Sequence, residues 1–151
     1  MHKLRIAAAI LGAFALARFA PPASAQATET YKVRLSPVAM DAAMKNVIAG
    51  DGMVTATLAG AKFTITGTFE GLKSNATVAH IHQGTAPGVR GAPVLNLTVT
   101  KAMSGELSGS FDLTPEQIEN LHKGKWYVQI HSEKAPAGNL WGWIVPGFVV
   151  K

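Results

Sequence analysis

Cysteine is absent from the 151 residues, and that absence excludes several things at once. No disulfide can brace the fold, no lipid can be attached at a lipoprotein cysteine, and no thiolate can complete a closed zinc site. Packing, helped at most by a bound ion, has to hold the chain together. Long apolar runs are also missing. The run from Ile6 to Ala17 is shorter than the ~20 residues a spanning helix needs, and it ends at Arg18, Pro21 and Pro22. Basic residues are scattered singly, so no stripe or helix face forms that would hold nucleic acid. No two carboxylates have an acid–base spacing, and Ser36, Ser74, Ser104 and Ser132 lack a nucleophile elbow. The glycines from Gly84 to Gly91 do not open a helix, so they make no phosphate cradle.

What is present begins with an export signal. His2-Lys3-Leu4-Arg5 is a basic start, Ile6 to Ala17 an apolar centre, and Ala23-Ser24-Ala25 a small-residue cleavage site. Residues 1–25 therefore read as a signal peptide and 26–151 as one domain, too short for two cores. Without Lys3, Arg5 and Arg18 the remaining piece has 11 basic and 9 acidic side chains, so its charge is close to balanced. The periplasm, or release from the cell, is the expected location, with no transmembrane anchor in the mature chain. The acceptor patterns at Asn75 and Asn96 read as unmodified, since the leader looks bacterial.

Period-two alternation dominates the mature chain. Tyr31, Val33 and Leu35 oppose Lys32 and Arg34, and Phe63, Ile65 and Phe69 oppose a lysine and three threonines. Strands are also expected at Met53 to Leu58, Thr77 to His82, Val94 to Thr100, Gly105 to Leu113, Lys125 to His131 and Asn139 to Val145. Ser36 to Gly50 has no period and reads as a long loop. A single short helix is marked by Leu113-Thr114-Pro115-Glu116-Gln117-Ile118: Thr114 as N-cap, Pro115 at the first turn, Gln117 completing a capping box and Gly124 as the stop.

The chemistry concentrates in two strands. In Ala79-His80-Ile81-His82 the period-two rule places both imidazoles on one face, and Tyr127-Val128-Gln129-Ile130-His131 ends a second strand with a third imidazole. If Ile81 marks the core face, His80 and His82 point to solvent or a shallow cleft. Three imidazoles suit copper or zinc, and Met40, Met44, Met53 or Met103 are candidates for a soft extra ligand. Glu133 is a candidate to orient one ring from behind. His122, on the helix, reads as a solvated surface residue.

The last strand places Leu140, Gly142 and Ile144 on one face and Trp141 and Trp143 on the other. Three readings of the outward tryptophans stand open: cover by the Ser36 to Gly50 segment, a surface for a partner or a second copy shared with Tyr127, or an inverted face that buries them.

Gly71-Leu72, Ala79-His80-Ile81-His82, Gly84, Pro87-Gly88, Gly91 and Pro93-Val94 resemble the central signature of the CHRD domain, found in chordin and in many exported bacterial proteins. The likeness continues through Leu113-Thr114, Gln117, Leu121, Gly124, Tyr127-Val128, Ile130-His131, Pro136 and Gly138, and covers Tyr31 to Pro146. It implies an all-β, Greek-key β-sandwich with one short helix. The chain departs from the family pattern at Gly138-Asn139-Leu140-Trp141-Gly142, where an acid and an arginine are usual. More distantly, the histidine-x-histidine strand resembles the copper strand of copper/zinc superoxide dismutases, although four histidines after the leader are too few for a bridged metal pair.

The functional expectation is an exported protein that binds copper, with zinc as the alternative metal, through His80, His82 and His131. A metal-free structural or interaction module using Trp141, Trp143 and Tyr127 is the second reading. A superoxide dismutase-like enzyme, with Arg90 and Lys134 drawing in the anion, is the third.

Overall fold

The computed structural model describes residues 27–146; the leader expected at 1–25 lies outside them. Eight strands follow in order: β1 (Thr28–Pro37), β2 (Asp51–Ala59), β3 (Lys62–Glu70), β4 (Ala76–Gln83), β5 (Ala92–Val99), β6 (Gly105–Asp112), β7 (Trp126–Ser132) and β8 (Ala135–Trp143). The helix α1 (Pro115–His122) lies between β6 and β7. Its capping box forms as the sequence indicates: Gln117 N–H donates to Thr114 Oγ1 at 3.2 Å, and Thr114 N–H donates to Gln117 Oε1 at 2.9 Å.

All neighbouring strands are antiparallel, and they close into a barrel in the order β1-β2-β3-β6-β5-β4-β7-β8. The β-sandwich expectation is thereby corrected. Two strands change partners along their length and close the wall. β1 pairs with β2 from Thr28 to Leu35 and then with β8 through Ser36–Trp141 and Pro37–Leu140. β5 pairs with β4 as far as Leu97 and then with β6 through Thr98–Ser108 and Val99–Leu107. Side-chain alternation is the same in a sandwich and a barrel, so only these short seams distinguish them.

The interior is filled by one apolar cluster that includes Leu35, Phe63, Ile65, Ile81, Trp126 and Leu140. Burying each such side chain contributes roughly 1.5–3 kcal/mol before the entropy of ordering is subtracted. β8 runs close to β1 because Gly142 has no side chain: a Cβ there would lie 2.5 Å from both the Arg34 carbonyl and Val33 Cγ1. A second, smaller cluster sits outside the barrel. Val38, Ile48 and Ala135 form it, with Met44, Val47 and Trp141 against them. The aperiodic 36–50 segment is mostly loop with one turn of 3-10 helix at Met44–Asn46, and it covers part of the outer wall. β8 begins at Ala135, earlier than the expected Asn139, so the turn after His131 is only Glu133-Lys134.

Candidate metal centre

Ala79 and Ile81 of β4, and Val128 and Ile130 of β7, are buried in the barrel. Alternation then places His80, His82 and His131 on the outer wall, where β4 and β7 pair with His80 opposite Gln129 and His82 opposite Tyr127. The pairing also sets His131 opposite Val78, beyond His80. Pairing is irregular on both sides of this point, between Ala76 and Val78 and between Ile130 and Ser132. The His131 ring nevertheless lies 5.3 Å from that of His80 and 5.8 Å from that of His82, and the first two rings are 5.6 Å apart.

One ring nitrogen from each histidine lies within 4.8 Å of the others. His80 Nδ1, His82 Nε2 and His131 Nε2 are also the only buried side-chain polar atoms without a hydrogen-bond partner among the described residues. Buried polar atoms are rarely left this way, because each costs the desolvation of an unmade bond. Backbone carbonyls set the tautomers of two rings. His82 Nδ1 is 2.9 Å from the Gly91 oxygen and His131 Nδ1 is 2.9 Å from the Pro136 oxygen. A carbonyl only accepts, so each Nδ1 carries the proton and each Nε2 presents a lone pair to the shared point.

Electrostatics keep the site ready for a cation. Burial pushes the His80 pKa below the ordinary imidazole value, and the neighbouring His131 and His82 add to the effect. Burial also lowers that of His82; the Gly91 bond opposes this, while His131 and Arg90 reinforce it.

A layer of aromatic side chains supports the rings. Tyr127 stacks on His82, with centroids 5.0 Å apart and planes at 19°. Its hydroxyl donates to the Gly91 carbonyl at 3.2 Å and accepts from the Gly91 N–H at 3.1 Å, so the residue under His82 also holds the carbonyl that orients it. Trp143 lies 4.6 Å from Tyr127, Trp141 meets Tyr127 edge-on at 5.9 Å, and the Arg90 guanidinium sits 4.7 Å over Trp141. Beneath them, buried Gln129 donates from Nε2 to the Ala137 carbonyl at 3.0 Å.

The role expected of Glu133 is corrected. Glu133 does not orient an imidazole: it is exposed and accepts from Asn75 Nδ2 at 3.5 Å, while the Pro136 carbonyl holds His131. Lys134 is exposed, its backbone N–H donating to Ser74 Oγ at 3.0 Å. Met40, Met53 and Met103 are exposed, and Met44 packs in the second cluster with Trp141. His122 stands outside the histidine cluster, with Nε2 3.0 Å from the Glu29 carboxylate. The inverted reading of β8 fails, because Leu140 and Ile144 are fully buried whereas Trp141 and Trp143 are partly buried on the outer wall. Cover by the 36–50 segment holds for Trp141. The Gly91 and Pro136 carbonyls were not legible beforehand, since a backbone oxygen leaves no residue signature.

The fold and the site define an all-β barrel with a three-imidazole cluster, able to coordinate a metal ion, on its outer wall. The chain belongs to the CHRD domain family, whose sequence profile matches residues 25–144. No curated protein and no solved structure matches it. No helix among the described residues is long and apolar enough to cross a membrane.

Proposed function

We propose that this chain is an exported copper-binding protein that holds one ion through His80 Nδ1, His82 Nε2 and His131 Nε2. The observation that carries the reading is the identity of the unpartnered buried atoms: all three are imidazole nitrogens, and all belong to the one cluster. Three neutral nitrogen donors form stronger complexes with copper(II) than with zinc in the general order of divalent affinities, and no thiolate is present to favour zinc. A coordination position is left for water or a partner-borne donor. Export to the periplasm is supported by the composition of residues 1–25. On this reading the role of the chain is to bind the ion.

The test is metal stoichiometry and affinity on tag-free mature protein, because a histidine tag would imitate the site. One equivalent of copper should bind to the wild type and none at that affinity to the His80→Ala/His82→Ala/His131→Ala variant. Equal binding by the two would overturn the proposal. The aromatic surface then gives the better account, with Trp141 and Trp143 offering accessible area for a protein partner and Tyr127 buried beneath them.

A further inference from the structure

The aromatic side chains beside the cluster do more than fill space. Starting from the imidazole cluster, His82 stacks on Tyr127 at 5.0 Å, and Tyr127 meets Trp143 at 4.6 Å. Trp143 is only partly buried, so the series runs from the candidate ligand to solvent through rings in contact. Tyrosine and tryptophan are the side chains most readily oxidised by one electron apart from those bearing sulfur, and rings in contact exchange electrons faster than the ion could through saturated side chains. From this geometry we infer that Tyr127 and Trp143 form a one-electron conduit between a redox-active ion at the three histidines and the barrel surface. The inference rests on the copper reading.

The surroundings identify where an electron vacancy comes to rest. A cation held over a ring opposes removal of an electron from it, and Arg90 is held 4.7 Å over Trp141. Tyr127 is buried, and its hydroxyl faces the Gly91 backbone rather than a carboxylate or imidazole that could take its proton. Among the described residues no cation is held over Trp143, and its ring reaches water, which can accept the indole proton. Trp126 serves as an internal control. It lies inside the barrel, fully buried, with its Nε1–H donated to Gln83 at 2.9 Å and its ring against Phe63.

With hydrogen peroxide as oxidant the electrons balance. Peroxide breaks its oxygen–oxygen bond, taking one electron from copper(I) and one through Tyr127 from Trp143. With the indole proton and one proton from solvent it becomes two waters, leaving copper(II) and a neutral Trp143 radical. The ligand imidazoles are spared the second oxidising equivalent, so the conduit protects the site from the ion it holds.

The experiment loads tag-free mature protein with copper(I), verifies one bound copper by elemental analysis, adds less than one equivalent of peroxide, and maps oxidised residues by peptide mass spectrometry. A freeze-quenched sample is read in parallel by electron paramagnetic resonance. The expected result is a tryptophan radical, with oxidation at Trp143 at least fivefold above Trp141 and none at Trp126. In Trp143→Phe, with copper still bound, damage should move to His80, His82 or His131. Tyr127→Phe keeps the stack but is hard to oxidise and loses the hydroxyl that holds the Gly91 carbonyl; with one bound copper verified, it should reduce the Trp143 product severalfold, and zinc-loaded protein should give none. Copper bound at one equivalent with ligand damage equal in wild type and Trp143→Phe overturns the conduit alone. Failure to bind copper at the three histidines overturns the metal reading and the conduit with it.

Discussion

At the scale of single residues, position on the outer wall separates function from stability. His82 has its ring on Tyr127 and its proton on the Gly91 carbonyl, but it fills no part of the interior. His82→Ala should therefore cost the copper-free protein only about 1 kcal/mol, the net worth of one hydrogen bond, while removing most of the copper affinity. Isothermal titration and urea unfolding on the same variant measure the two effects. His122→Ala should leave copper affinity unchanged, since that ring pairs with Glu29. Gly138 is the opposite case. Its backbone has φ +133°, and an added Cβ would fall 1.7 Å from Gln129 Nε2, breaking the bond from that amide to Ala137. Gly138→Ala should destabilise the fold by about 2–3 kcal/mol. Because the neighbouring Pro136 carbonyl orients His131, it should also weaken copper binding. A titration that finds wild-type affinity in Gly138→Ala would show that the start of β8 does not position the site.

At the scale of elements, α1 is the segment whose local code is complete. Thr114, Pro115 and Gln117 form the expected start, and buried Leu121 anchors the helix to the core. It stands apart from the imidazole cluster; among the described residues its side-chain bond to the wall is the His122–Glu29 pair, with Glu29 also accepting from the Tyr31 hydroxyl. Thr114→Ala should lower stability by about 1 kcal/mol through the lost cap and leave copper affinity at the wild-type value, as read by thermal melts with and without metal. The strands behave differently. β4 and β7 carry the three imidazoles on the outer wall because a core-facing set on each (Ala79 and Ile81, Val128 and Ile130) commits the alternate positions to the outside. β7 is buried at nearly every position because its outer side lies under Trp141, the imidazoles and the Gly91 loop.

At the scale of the molecule, protons and the proposed copper ion should act on folding in opposite directions. His80 and His82 have pKa values below the ordinary imidazole value of about 6.5 when folded. Above that pH both states hold these rings neutral and the copper-free protein has its full stability. As pH falls below ~6.5 the unfolded chain takes up protons that the folded site resists, so stability declines until the lowered folded values are passed. Urea midpoints between pH 8 and 5 should fall with acid, and the fall should shrink in His80→Ala/His82→Ala. Copper should raise the melting temperature, by about 2.7 kcal/mol of added stability at a hundredfold excess over Kd. That gain should fade at acid pH as protons compete for the same lone pairs. A copper-induced shift that persists unchanged at pH 5 would contradict ligation by imidazoles.

Much of this was legible in the chain itself. Alternation around Phe63, Ile65 and Ile81 marks strands and their inward faces, the Thr114 to Gln117 cap marks the helix, and the two-residue spacing of His80 and His82 puts two imidazoles on one side. These are local signals, set by the geometry of one or two turns or pleats. Closure of the barrel was not local: it depends on β1 and β5 changing partners at their ends, which leaves the alternation of each strand untouched. The approach of His131 to the other two rings also depends on pairing register and the irregularity beside it, and the tautomers depend on carbonyls brought in from elsewhere, Gly91 in the loop before β5 and Pro136 at the start of β8. Sequence determined which side chains face outward; only tertiary pairing decided that three of their nitrogens meet, because that distance is set between strands and not along them.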